Sequence, residues 1–323
     1  MPPRASVIIA TYRRPEMLAG CLDRLLGDGS TVDREVLVVD NASGDDTPEV
    51  VRRGAERPSG TPVRLLVETR AGQVHARNRG VAEARGEVLL FLDDDMLVEA
   101  GWTDRLVGCF EDPATIAATG RVLPSWPIPP PAWMAGPHAV FLTSPDYGEV
   151  RRPLNGGAQE HILGNNMAVR ARAVDSLQPL FDPTIGHAGD VSMGGDDVWL
   201  SLRLQALGSL WYEPDAVAHH RIPRDRLEWD WFRRRFWQGG IGLARMERRY
   251  GSPQPVLARR LVRALRTTRT AWALRHKHAR RENPGPDDAF AEFYAFHWAG
   301  KHVEMLLGRF PSLTNWLAAH ACR

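Results

Sequence analysis

The sequence predicts an α/β protein: a mostly parallel sheet flanked by helices, with a helical C-terminal extension. Three observations carry this. Short apolar runs alternate with helical periodicity over the first hundred residues, the pattern of successive β-α units. Two of those runs, 35–40 and 88–95, end in carboxylates, as parallel strands do when their C-terminal ends open into a ligand crevice. Beyond residue 225 the strand-like runs give way to basic amphipathic stretches.

Residues 5–11 form a short apolar strand. Pro15 opens a helix, where its missing N–H costs nothing, and Met17, Leu18, Cys21, Leu22, Leu25 and Leu26 make its apolar stripe. A second buried strand ends at Asp40, and Asn41 to Thr47 has the turn and cap chemistry that leads into a helix. Residues 63–68 read as a third strand, 74–85 as a helix and 88–93 as the central strand, so crossovers should be right-handed. A further strand is expected at 115–122, then a stiff proline-rich loop carrying Trp126 and Trp133, and a mobile loop over 143–160. These features divide the chain into a domain at 1–224, with a first half to about 122 and a second half after it, and a helical region at 225–323.

Composition narrows the functional classes. The 323 residues carry a formal net charge of +2, so no global field points to nucleic acid. Cys21, Cys109 and Cys322 match no metal or disulfide spacing, and the N-terminus runs straight into a strand without a signal-peptide pattern. No apolar run reaches membrane-spanning length, and the expected location is the cytoplasm, with the inner membrane face as a peripheral site.

Asp93, Asp94 and Asp95 are the chemical centre. Three adjacent carboxylates repel one another unless a cation screens them, and a hard ion such as Mn²⁺ or Mg²⁺ commonly joins protein oxygens to substrate phosphates. Residues two apart in a strand share a side, so Asp93 and Asp95 can face one site with Asp94 turned away. An acidic loop that only caps a strand is the plainer alternative. Arg70 and Arg77 lie on or near the next helix, where Arg77 can meet a diphosphate or steady the acids.

The segments Ser6 to Arg14, Val38 to Ser43, Ala76 to Gly80 and Phe91 to Asp95 together resemble glycosyltransferase family 2 with the GT-A fold, and the likeness continues to about residue 240. The resemblance implies an inverting transferase that uses a nucleotide-diphosphate sugar and Mn²⁺ or Mg²⁺. It implies a donor-binding set of Thr11, Tyr12, Arg13, Asp40, Arg70, Arg77, Asp93 and Asp94, with Asp93, Asp95 and His220 around the metal. His220 is preferred to its neighbour His219 on alignment through Pro214 and Pro223. Asn165 and Asn166 match a stretch bordering donor sugar and acceptor, and their amides suit sugar hydroxyls. Trp126 and Trp133 can stack on an acceptor or pack over the sheet.

Gly194-Gly195-Asp196-Asp197 precedes an amphipathic helix. A helix start alone favours acids there. Inverting transfer needs more, namely a carboxylate to take the acceptor's proton, and the resemblance gives that role to Asp197, with Asp196 where the family more often has Glu. The acceptor class stays open between a polysaccharide, a lipid-linked carrier and a small natural product. From 225 to 281 the chain has 16 Arg plus Lys against 4 acids, which suits an anionic membrane, packing within the protein or a homo-oligomer. A nucleotidyltransferase would carry a Gly-rich basic loop after the first strand, where this chain has Thr11-Tyr12-Arg13-Arg14-Pro15. A non-catalytic sugar-nucleotide or membrane-docking module would need no base.

Overall fold

The computed structural model describes residues 2–157, 159–183, 187–188, 191–192, 196–249, 257–279 and 284–307. The helix expected over 311–321, Cys322 and the Gly194-Gly195 pair lie outside the described residues. The chain divides into two compact units: Met1–Ser125, Ser144–Pro183 and Asp196–Arg221 form the first, and Trp126–Thr143, Thr184–Gly195 and Ile222–Arg323 the second. The boundary therefore differs from the sequence expectation, which kept 126–143 in the first domain.

In the first unit β1 (Ala5–Thr11), α1 (Pro15–Leu26), β2 (Arg34–Asp40), α2 (Thr47–Ala55), β3 (Val63–Val67), α3 (Gln73–Glu83) and β4 (Val88–Asp93) alternate as the apolar runs dictate. Every residue of β1 and β2 is buried, which explains why these strands read as continuous apolar runs instead of alternating ones. The chain continues through β5 (Met96–Val98), α4 (Trp102–Gly108) and β6 (Thr115–Ser125). The second unit then takes up α5 (Val140–Thr143), and β7 (Arg152–Leu154), β8 (Asn166–Arg170) and α6 (Arg172–Ser176) return to the first. A small antiparallel pair, β9 (His187–Ala188) with β10 (Val191–Ser192), precedes α7 (Asp196–Gln205) and β11 (Ser209–Arg221). The last elements are α8 (Trp229–Arg249), α9 (Leu257–His278) and α10 (Pro286–Leu307).

The main sheet has nine strands in the order β3-β2-β1-β4-β8-β6-β11-β5, with β7 also on β11. β3, β2, β1 and β4 are parallel, as are β6 and β11, while β8 runs antiparallel to both β4 and β6. β5 and β7 are also antiparallel to β11. Register fixes the site: Thr11 sits beside Asp40, and Ala10 beside Asp93. The core beneath includes Val7, Ile9, Val36, Val38, Leu90, Leu92 and Trp102, none more than 1 % exposed. Burying side chains of that size stabilises by about 1.5–3 kcal/mol each.

The 143–160 stretch, expected as a mobile loop, is tied to the sheet. Arg121 pairs with Asp146, Arg152 with Glu160, and the Tyr212 hydroxyl donates to Gly148 O. In the second unit Phe232, Phe236, Phe293 and Phe296 are fully buried. α8 and α10 cross closely enough that a Cβ on Gly240 would collide with His297 O, and one on Gly300 with Trp237 O.

Candidate active site

The site starts where β1, β2 and β4 end. Asp94 is wholly buried and turned inward, accepting from Thr11 Oγ1 (2.7 Å), with Arg14 Nη2 3.0 Å from its other oxygen. Burial lifts its carboxyl to about 7, against the pull of Arg14, with the neighbouring Asp95 adding to the rise. Donor binding was expected of Thr11 and Asp94, yet they face each other beneath the strand ends. Both brace the strand ends from inside, Asp94 lying wholly buried in the turn between β4 and β5.

Asp95 is 4 % exposed. Its Oδ2 lies 2.8 Å from Arg14 Nη1 and 3.7 Å from His220 Nε2. The antiparallel pairing of β5 with β11 sets His220 opposite Met96, next to Asp95. His219, one residue earlier, turns to Glu99 at the surface (2.7 Å). Asp93 remains more open: its Oδ1 accepts from Gln73 Nε2 (2.9 Å) and Arg77 Nη2 (2.8 Å). Among the described residues, no three His, Cys, Asp or Glu side chains converge into a ready metal cage. The Asp95–His220 pair nonetheless suits a divalent ion. It sets an oxygen and a nitrogen donor of the kinds such ions take 3.7 Å apart, the same Asp95 oxygen being also held by Arg14.

At the end of β2, Asp40 Oδ1 accepts from the backbone N–H of Ser43 (3.0 Å) and from its hydroxyl. Ser43 Oγ in turn accepts the N–H of Arg13, which sits at φ +54°. Tyr12 is 42 % exposed, with the Arg13 guanidinium over its ring. Arg70 projects outward and grips Glu68, holding that carboxyl down to about 2 through their hydrogen bonds. Asn41 fixes this wall by donating to Glu68 O and Arg70 O and accepting from the N–H of Gly72.

Arg77 joins the two acidic centres. It is 4 % exposed, lies over the Phe181 ring, donates to Asp93 and to Gly164 O (2.8 Å each), and stands 3.6 Å from Asp196. Asp196 and Asp197 begin α7, as the sequence predicts. Asp197 Oδ2 accepts the N–H of Gly164 (3.0 Å), and a Cβ on Gly164 would collide with that carboxylate. Loss of water raises the Asp197 carboxyl to about 7, with Asp196 adding to the rise and Arg77 opposing it. A carboxylate titrating there takes protons well near neutral pH.

Other expected contacts fall elsewhere. Asn165 is partly exposed beside Gly164. Asn166 is fully buried, accepting from Trp102 Nε1 (2.8 Å) and donating to Arg121 O and Ala216 O. It is a structural amide that spans three strands' worth of backbone, where the sequence suggested a sugar contact. Trp126 and Trp133 belong to the second unit's apolar core, and Trp133 packs on Trp229, Phe232 and Phe293 with ring centroids 5.0–5.8 Å apart. Aromatic rings in such numbers satisfy one another before any acceptor arrives.

Sequence reasoning passed over Arg14, Gln73, Asn41 and Gly164. Arg14 closes the β1 motif beside Arg13, and its position just before Pro15 was the available signal. A backbone N–H such as that of Gly164 leaves no mark on side-chain pattern.

A family model described as glycosyl transferase family 2 matches residues 6–176. The chain is 34 % identical over 229 residues to the glycosyltransferase AglE of Haloferax volcanii, covering 68 % of this chain and 67 % of that protein. It is 27 % identical over 237 residues to the succinoglycan biosynthesis protein ExoM of Rhizobium meliloti, 72 % and 71 % of the two chains. The solved structure of the Pyrobaculum calidifontis mannosyltransferase PcManGT, in complex with GDP-mannose and Mn²⁺, overlays with a TM-score of 0.54 at 19 % identity, over 99 % of this chain and 80 % of that one, a likeness of fold. With the family's profile spanning more than half its length and one relative a third identical over two thirds of it, this chain belongs to glycosyl transferase family 2 and is a glycosyltransferase.

Proposed function

We propose that the protein transfers a sugar from a nucleotide-diphosphate sugar to an acceptor hydroxyl with inversion, in a single displacement that depends on Mn²⁺ or Mg²⁺. The observation that carries this reading is the Asp197 carboxylate, held by Gly164 at the head of α7 and raised to about 7. A group so poised accepts the hydroxyl proton as the acceptor oxygen attacks the anomeric carbon. Asp196 and Arg77 set its charge balance, and Gly164, having no side chain, lets it approach.

The donor would lie across the strand ends. Asp40, Tyr12 and Arg13 flank the place of the base, Arg70 borders it, and Asp93 is open enough to accept from a ribose hydroxyl. Asp94, Thr11 and Arg77 hold those groups from inside. Asp95 and His220 would bind the ion, which supplies positive charge for the departing diphosphate. Arg14, already paired with Asp95, adds a fixed positive charge beside it. PcManGT, with GDP-mannose and Mn²⁺ bound, supports a donor and ion of this type. Asn165 stands where an acceptor or donor sugar would meet Gly164 and Asp197.

The test is a panel of nucleotide sugars with and without Mn²⁺, read by nucleoside diphosphate release and by the anomeric configuration of the product. Release that needs the ion, with an inverted product, is expected. Asp95→Asn should remove both turnover and metal-dependent thermal stabilisation by the donor, whereas Asp197→Asn should remove turnover alone. Retained configuration, or full activity in chelator, would overturn the mechanism.

A further inference from the structure

The second unit shows a surface that transfer chemistry does not use. α9 packs one side inward, with Ala264, Ala271 and His278 buried at seven-residue intervals. His278 Nδ1 lies 2.6 Å from Glu292 on α10, and Arg260 Nη1 donates to Met305 O. About a quarter turn away on the helix, apolar residues reach the surface: Leu261 is 46 % exposed, Val262 63 %, Leu265 64 % and Trp272, whose ring also reaches Phe296 on α10, 36 %. At 3.6 residues per turn, Leu261, Leu265 and Trp272 form one stripe, with Val262 beside it. Arg259, Arg263, Arg266, Arg269 and Lys277 are exposed around them, and α9 has no acidic residue. Among the described residues, Arg259, Arg263, Arg266 and Arg269 have no carboxylate partner. The Arg275 guanidinium lies over the Trp272 ring, 4.8 Å from its centre.

We infer that this outward face of α9 docks the enzyme on an anionic phospholipid surface. The stripe supplies aliphatic and indole groups for the acyl boundary, and the cations around it meet the phosphate layer. No described helix is long and apolar enough to cross a membrane, so α9 would lie along the surface. A second copy of this chain fits the face poorly, because it would set one cluster of arginines against another. Packing within the protein is met chiefly by the side that carries Ala264, Ala271 and His278. The inference is independent of the donor, metal and mechanism proposed above.

The experiment is co-sedimentation of the full chain with vesicles, in the absence of donor and metal. Phosphatidylcholine vesicles containing roughly a third phosphatidylglycerol should retain the protein, pure phosphatidylcholine should not, and added salt should release it. Arg263→Gln and Arg266→Gln should each lower the partition by about fivefold. Leu265→Glu combined with Val262→Glu, both at well exposed positions, should abolish binding while leaving transfer to a water-soluble acceptor and the melting temperature unchanged. Should that double variant fold poorly, the arginine variants carry the test alone. Equal binding to neutral and anionic vesicles, binding to neither, or unchanged binding by the arginine variants would overturn the inference. So would a wild-type dimer that Leu265→Glu converts to monomer without any affinity for vesicles, since a second copy would then own the face.

Discussion

Glu292, at the centre of the helical unit, sits among donors, whereas Asp197, at the head of α7, sits among acids. Glu292 is 0 % exposed and is met by Trp229 Nε1 (3.1 Å), by Arg233, and by His278 Nδ1 (2.6 Å). Each oxygen has a hydrogen-bond partner. Asp197 keeps a partly exposed edge, and Asp196 and Asp93 lie near it with Arg77 as the opposing cation. A carboxylate surrounded by donors holds helices together. One crowded by its own kind is costly to ionise, and that cost is what makes it able to take a proton near neutrality.

The largest effect expected from breaking this contrast is on chemistry. Asp197→Asn should lower kcat by about 10²–10⁴ while the protein stays folded, checked by nucleotide release alongside thermal melting. Glu292→Ala should do the reverse. It strands the buried Arg233 and His278, so urea denaturation should show a loss of about 3–5 kcal/mol in the helical unit. Arg77→Lys sharpens the comparison from the cation's side. A single ammonium cannot span Asp93 and Gly164 O as the guanidinium fork does, so a loss of about 1.5–3 kcal/mol in transition-state stabilisation is expected in kcat/KM.

The pH dependence follows from the same crowding. Activity should rise as pH passes upward through about 7, because Asp197 must be ionised to act. Stability should move the other way. The carboxyl is raised from 3.8 to about 7 in the folded state, so its contribution is full below the unfolded value and is lost as pH climbs through the folded one. The amplitude should be on the order of 1–2 kcal/mol given the exposed edge, and Asp197→Asn should flatten that slope in a stability-against-pH series. The smallest effect belongs to α9: Leu265→Glu, on an open face, should change unfolding free energy by no more than about 0.5 kcal/mol.

Much of the fold was legible because β1, β2 and β4 are buried on both faces and leave continuous apolar runs. β8 was less so, since nothing in Asn166 to Arg170 tells that it inserts antiparallel between β4 and β6. The acids of the site were legible as residue types at strand and helix ends. Their division of labour was legible only in part: Asp94 is turned away from the site as the alternation suggests, whereas Asn166 looks like a sugar contact in sequence and is an internal brace in the fold. Trp133 was left open between two roles, because a tryptophan on a proline-rich loop reads alike whether it faces an acceptor or Phe232 and Phe293.

The amino-acid order alone settled the alternation of strand and helix, the acid-tipped strand ends and the basic character of α9, since each depends on neighbours within a turn or two. Only the folded chain decided that Arg14 pairs with both Asp94 and Asp95, that Arg77 bridges Asp93 to Gly164, and which side of α9 remains open. Those pairings join residues as many as 87 positions apart, as Arg77 and Gly164 are. Charge and burial at such distances are set by sheet order and register, which local pattern does not encode.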